Sequence, residues 1–241
     1  MQLPLLRAPE PPEYPDIEIR LGSVEELLAS LSGSQDRPAL IVADPPWRYQ
    51  QAPGHSANPE NHYTTQTELE IAQNIYRAHS IAGSKCRLAL WCTFPFLELW
   101  RDAIGKQPGS FPWRYVSGGT WVKPGSPGTG YHWIGGAELV LLYVKGSGLV
   151  TRWDSPLPGN LRNYWSARST GHSEKPVEWM ERWLHRWTEP GDLVLDLYAG
   201  LAPLARACLA TGRRYLGAEI DPERHREARM RLARFAGERG L

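Results

Sequence analysis

Leu40-Ile41-Val42-Ala43-Asp44-Pro45-Pro46-Trp47-Arg48-Tyr49 is the stretch whose reading decides the fold. Its first four residues form a short apolar run rich in branched side chains, the pattern of a buried strand. The prolines cannot donate to a sheet ladder, so the strand must stop at the acid. Ligands of an open α/β sheet bind just beyond the carboxyl ends of its strands. The stretch would thus present a carboxylate, stiff backbone carbonyls and aromatic faces at the place where such sheets do chemistry. On its own it also fits a plain strand followed by a Pro-rich turn with Asp44 as the turn's cap, and the rest of the chain has to decide.

The flanking sequence alternates strand and helix patterns. Upstream, residues 1 to 15 form a Pro-rich arm without a core of its own. Asp16-Ile17-Glu18-Ile19-Arg20 alternates as a strand, and Ser23 with Glu26 makes a capping box that opens a helix to about residue 31. Downstream, Gln50 to Thr65 is polar and aperiodic, a loop length usually kept for function. Thr67 with Glu70 opens a second helix, residues 87–93 form a strand, and a helix entered through Pro95 follows. Strands are predicted at 114–122 and 137–144 around a Gly/Pro-rich loop, and residues 146–170 read as mostly irregular. Pro176 opens a helix to about Trp187. Leu193-Val194-Leu195-Asp196 is a buried strand, with a helix at about 203–211, a strand at 215–219 and a last helix capped by Asp221-Pro222. No repeat or linker interrupts the pattern. Residues 16–241 read as one α/β domain, a mostly parallel sheet with helices on both faces.

Composition narrows the function. A chain of 241 residues, 41% hydrophobic and 22% charged, buries a full core. A formal net charge of +1 gives no global basic field, so a nucleic-acid partner would be held by local patches. Cys86, Cys92 and Cys208 have neither disulfide arithmetic nor metal-ligand spacing, which argues for a reducing, cytoplasmic setting and no metal. No apolar run reaches the roughly 18 residues of a membrane span. The 11 tryptophans are the unusual number: some serve packing, and a site that stacks flat rings would use others.

A second anchor lies near the C-terminus. Asp196-Leu197-Tyr198-Ala199-Gly200-Leu201-Ala202-Pro203 joins a strand to a helix through small residues that let a ligand approach the backbone. Glu219 ends the next strand, where an acid accepts the ribose hydroxyls of an adenosine cofactor. The full three-glycine dinucleotide fingerprint is missing, which disfavours a pyrophosphate.

With both anchors in view, the chain resembles the DPPW adenine-N6 methyltransferases, the family of the seventy-kilodalton subunit of the messenger-RNA adenosine methyltransferase. The matching residues are Glu18-Ile19-Arg20, Asp44-Pro45-Pro46-Trp47, Tyr63-Thr64-Thr65, Leu90-Trp91-Cys92-Thr93, Trp121-Val122-Lys123 and Gly130-Tyr131-His132-Trp133. Arg168-Ser169-Thr170, His172 to Pro176, Asp196 to Gly200 and Gly217 to Asp221 complete them. The resemblance implies a Rossmann-like class I methyltransferase fold in circularly permuted motif order, with the catalytic motif ahead of the cofactor motif. It implies S-adenosylmethionine as donor and an exocyclic adenine amine as acceptor. By matched position, Glu18 and Ile19 would contact the cofactor's adenine and Glu219 its ribose, while Lys175, Asp196, Tyr198 and Gly200 would surround its methionine end. The usual second glycine of the turn is replaced in Gly200-Leu201-Ala202-Pro203.

The catalytic set would be Asp44, Pro45, Pro46 and Trp47. Asp44 and the Pro45 carbonyl would accept the two N–H groups of the amine and free its lone pair. Trp47 or Tyr49 would stack on the base, and Trp121, His132 and Trp133 would contact substrate. His132-Trp133 also has a packing reading, as a pair at a strand entry. Trp179, Trp183 and Trp187 recur every four residues, a stripe for the core or a subunit interface, so a homodimer stays open. The C-terminal arginines read as a solvated face, and the Arg/Trp mixture at 146–168 as the better candidate for touching nucleic acid. DNA is the favoured substrate, RNA the second. A catalytically inactive scaffold subunit is the reading from another class, against which the intact motifs argue.

Overall fold

The computed structural model describes residues 11–48, 65–107, 109–125, 135–146, 163–168 and 174–241. In chain order the elements are β1 (Ile17–Leu21), α1 (Val24–Ser30), β2 (Leu40–Ala43), α2 (Glu68–Ile81), β3 (Arg87–Cys92), α3 (Phe94–Gly105), β4 (Arg114–Val122) and β5 (Ala137–Val144). They continue with β6 (Tyr164–Ser166), α4 (Val177–Trp187), β7 (Leu193–Asp196), α5 (Pro203–Thr211), β8 (Arg214–Glu219) and α6 (Pro222–Arg239). The helix starts follow the local signals. Ser23–Glu26 and Thr67–Glu70 form complete capping boxes, and Asp221 accepts the amides of Glu223 and Arg224. β6 is the element that periodicity misses: three residues are too short to show a period, and pairing with β4 makes them a strand.

The described strands form one sheet in the order β1-β8-β7-β2-β3-β5-β4-β6. β1, β8, β7, β2 and β3 run parallel, and β5 lies antiparallel to both β3 and β4. The central strands β2, β3 and β7 are buried along their whole length, as a sheet covered on both faces requires. One face packs α1, α2 and α3 with Leu27, Ile75 and Trp100 among its buried side chains. The other packs α4, α5 and α6, with Trp179, Met180, Trp183, Leu204 and Leu232. The stripe at 179 and 183 is therefore core, and Trp187 packs at its margin, stacked on Trp183 at 5.4 Å.

The path from β2 to β3 crosses one face through α2, and the path from β7 to β8 crosses the other through α5. The chain thus leaves the adjacent strands β2 and β7 in opposite directions, which opens a crevice at their carboxyl ends. Asp196 ends β7 opposite Val42, and Asp44 follows β2. The two acids singled out in the sequence share this switch point.

Candidate active site

Asp44 stands at the mouth of the crevice, with its side chain 35% exposed. Its Oδ2 accepts from Lys175 Nζ at 2.6 Å. Lys175 is buried, reaches Glu138 Oε2 at 3.2 Å and lies over the Trp91 ring. Glu138 Oε1 in turn accepts from Lys123 Nζ at 2.6 Å. β5 is the reversed strand, so its first residues, Glu138 among them, lie at the carboxyl edge of the parallel strands. Desolvation pushes the Asp44 carboxyl above the usual range, and the Lys175 ammonium draws it back. Against its own desolvation, Lys175 is held charged by Asp44 and Glu138. Glu138 is likewise held ionised, against desolvation, by Lys175 and Lys123.

Sequence reasoning missed Glu138. The signal was present: a lone acid inside an otherwise apolar run, Ala137-Glu138-Leu139-Val140-Leu141-Leu142. A buried charge in such a strand needs a partner. Lys175, expected beside the cofactor's methionine end, is placed between Asp44 and Glu138, two protein carboxylates that share its ammonium.

The prolines fix the backbone as expected, with one adjustment. The Pro45 carbonyl accepts the Trp47 amide at 2.8 Å, leaving one lone pair, and the Pro46 carbonyl accepts the Gln66 amide at 2.9 Å. Trp47 corrects the sequence reading. It is 4% exposed, stacked on Phe96 at 4.9 Å and edge-on to Trp100, and its Nε1 donates to the Trp91 carbonyl. Its ring is an anchor beneath the motif with no free face for a base. Trp121 is corrected in the same way. It is fully buried, edge-on to Trp91, and bonded through Nε1 to the Ala167 carbonyl. The apolar interior outcompetes the crevice for both indoles, whose area is too large to leave in water cheaply. Tyr49, His132 and Trp133 lie outside the described residues.

On the β7 side, Asp196 is buried, its Oδ2 accepting from the Tyr215 hydroxyl at 3.0 Å and its Oδ1 from the Tyr198 amide at 3.3 Å. Desolvation raises its pKa to about 7 despite these two donors. The turn that follows enters α5 through Gly200 (φ 55°) and Ala202 (φ 51°), the residue with which this chain replaces the second glycine. Ala202 is the α5 N-cap, and among the described residues no side chain caps the amides that follow Pro203. The Tyr198 hydroxyl reaches back to Gln66 Oε1 at 2.8 Å and ties this turn to the segment paired with Trp47.

Glu219 closes the third corner, accepting the Asp221 amide at 2.9 Å, and desolvation raises its pKa. Beside it, Leu21 and Ile220 expose more than half of their surfaces, and the Gly22 amide donates to the Glu219 carbonyl. This pair corrects the placement of Glu18 and Ile19. Glu18 lies opposite Leu216, three residues short of the strand end, with its side chain paired to Arg20. Ile19 packs toward the α6 side and gives its carbonyl to His225. In a parallel pair only the last residues reach the carboxyl edge, and those are Leu21 and Gly22. Among the described residues, no group of three His, Cys, Asp or Glu side chains could hold a metal ion.

Known proteins resemble the chain in both sequence and fold. Residues 142–230 match the N6_N4_Mtase family, DNA methylase. The span takes in Lys175, Asp196, Tyr198, Gly200 and Glu219 and stops short of Asp44 and Glu138. Over 91 residues the chain is 34% identical to the "Putative methylase YubD" of Escherichia coli (strain K12), a match covering 38% of this chain and 40% of that protein. Across nearly the whole chain the fold is that of M1.HpyAVI, solved as a SAM complex (TM-score 0.68, 19% identity, 90% of this chain and 99% of that one). PvuII DNA methyltransferase, cytosine-N4-specific, aligns with a TM-score of 0.67 at 12% identity over 91% of each chain. The fold is the Rossmann-like α/β fold of these methyltransferases. Among the described residues, no helix is long and apolar enough to cross a membrane.

Proposed function

We infer that the chain transfers the methyl group of S-adenosylmethionine to the exocyclic N6 amine of adenine in DNA, within one domain of residues 16–241. The observation that carries this reading is the pair of acids at one switch point: Asp44 at the mouth of the crevice, and Asp196 one strand away, buried without a cation among the described residues. The cofactor would supply an electrophilic methyl sulfonium. Asp196 and the open amides of α5 suit its amino-acid end, Glu219 its ribose hydroxyls, and the exposed faces of Leu21 and Ile220 a flat purine.

An aromatic amine is a weak nucleophile because its lone pair is delocalised into the ring. Asp44 and the remaining Pro45 lone pair would accept its two N–H groups and favour a tetrahedral nitrogen with the lone pair free. Lys175 takes one oxygen of Asp44, so the carboxylate meets the amine with the other and cannot swing away. Fixed acceptors of this kind cost no reorganisation during reaction. The methylated amine becomes acidic only after transfer, when Asp44 takes the proton.

The same acceptor geometry suits the N4 amine of cytosine, and the cytosine-specific relative of similar fold makes that the second reading. Labelled S-adenosylmethionine, incubated with the protein and with single- and double-stranded DNA and RNA pools and then digested to nucleosides, tests the proposal. Label on N6-methyldeoxyadenosine is expected. Label on N4-methyldeoxycytidine favours the second reading, label confined to RNA nucleosides overturns DNA, and cofactor binding without transfer supports the scaffold.

A further inference from the structure

Tyr215 is a buried phenol whose position depends on the residue two places along its strand. On β8, Tyr215 pairs with Val194 and Gly217 pairs with Asp196, so the tyrosine ring must lean along the strand to reach the carboxylate. It can do so because Gly217 has no side chain: a Cβ there would lie 2.2 Å from the Tyr215 Oη and 2.6 Å from Cζ. The hydroxyl arrives 3.0 Å from Asp196 Oδ2, while Oδ1 stays on the side of the turn, 3.3 Å from the Tyr198 amide.

We propose that Tyr215, admitted by Gly217, is a positioning residue for the cofactor's amino-acid end: it fixes the Asp196 carboxylate with a neutral donor and leaves the negative charge for the ligand's ammonium. The proposal rests on the cofactor reading above. A lysine or arginine in place of the phenol would compensate that charge in advance, as Lys175 does for Asp44.

The groups facing Asp196 act in opposite directions. Asp44 from β2 and Glu219 from β8 are like charges that disfavour its ionisation. Cys208 of α5 is buried and held as the thiol by desolvation. The Tyr215 hydroxyl and the Tyr198 amide favour the carboxylate. Removing the hydroxyl therefore makes Asp196 harder to ionise, whereas removing a mere packing group would not.

Tyr215→Phe keeps the ring and deletes the donor. In ligand-free protein carrying 13C-labelled aspartate carboxyls, with Asp196 assigned through Asp196→Asn, the variant's titration midpoint should rise by about one pH unit. Gly217→Ala, which displaces the ring instead, should raise it in the same direction. Calorimetric titration with S-adenosylmethionine from pH 6 to 9 should show Tyr215→Phe binding about fivefold more weakly at pH 7, with the gap closing at pH 9 where both carboxyls are ionised. An unchanged midpoint, or the same loss at every pH, overturns the proposal and leaves Tyr215 as packing. Wild-type protein that fails to bind S-adenosylmethionine at any pH overturns the cofactor reading instead, and the carboxyl titration still reports on the Tyr215–Asp196 coupling.

Discussion

Asp44 and Asp196 end adjacent parallel strands and differ in what holds them. Asp44 is paired with a buried ammonium that two carboxylates share, so its charge is compensated within the protein. Asp196 is more deeply buried and, among the described residues, meets a phenol and a backbone amide. A carboxylate already paired is a fixed hydrogen-bond acceptor, whereas one desolvated without a cation attracts a cationic ligand. The sequence resemblance already implied different roles for the two, Asp44 toward the amine and Asp196 toward the donor's methionine end. Their partners add a physical difference to that proposed division: a shared ammonium for Asp44, neutral donors for Asp196.

The contrast breaks most sharply at Asp44. Asp44→Ala should lower methyl transfer on the order of a thousandfold or more, the scale for losing a preorganised charge-stabilising group, while S-adenosylmethionine affinity by calorimetry stays within about threefold. Loss of cofactor binding in this variant would erase the distinction between the two acids. Lys175→Met should come next. It leaves Asp44 and Glu138 facing each other without their shared cation, at a cost of about 3 kcal/mol in urea denaturation. Unchanged stability would mean that the cluster is held from elsewhere.

The Asp196 side is sharpened by pH. Its folded-state pKa of about 7 lies above the ordinary 3.8, so the folded protein keeps a proton that the unfolded chain has already released. Stability of the ligand-free protein should therefore fall as pH rises from about 4 to about 7 and level off above that, while cofactor affinity rises over the same approach to neutrality. Asp196→Asn should flatten this stability profile, read by thermal melts across pH, and weaken binding. The smallest effect is expected in the turn beyond it. Ala202→Gly should relieve the left-handed strain and raise stability by about 1 kcal/mol, measured in the same denaturant series.

Much of the fold was legible from local rules. The capping boxes at Ser23 and Thr67, the Pro-led helices and the continuous apolar runs of the central strands each carry their own signal, because cap chemistry and full burial leave marks at fixed short spacings. β6 left none. The site divided along the same line. The strand-end placement of Asp44, Asp196 and Glu219 was readable, because sequence marks such a position by where an apolar run stops. The roles given to Trp47 and Trp121 failed because an indole beside a motif looks the same whether its face is wet or buried. Glu18 and Ile19 failed on register: the sequence shows that a strand is there, but pairing with β8 decides which of its residues reach the carboxyl edge.

By itself the sequence determined the alternation of strands and helices, the two acid-bearing strand ends and the small-residue turn between β7 and α5, since propensity, capping and burial act over a few residues. Only the tertiary structure decided which charges meet. Lys175 reaches Asp44 across 131 positions of chain, and Glu138 joins them because β5 runs backward in the sheet. Tyr215 finds Asp196 because register sets Gly217 beside it. Ion pairs and hydrogen bonds act over about 3 Å, and no spacing along the chain encodes a distance that only folding creates.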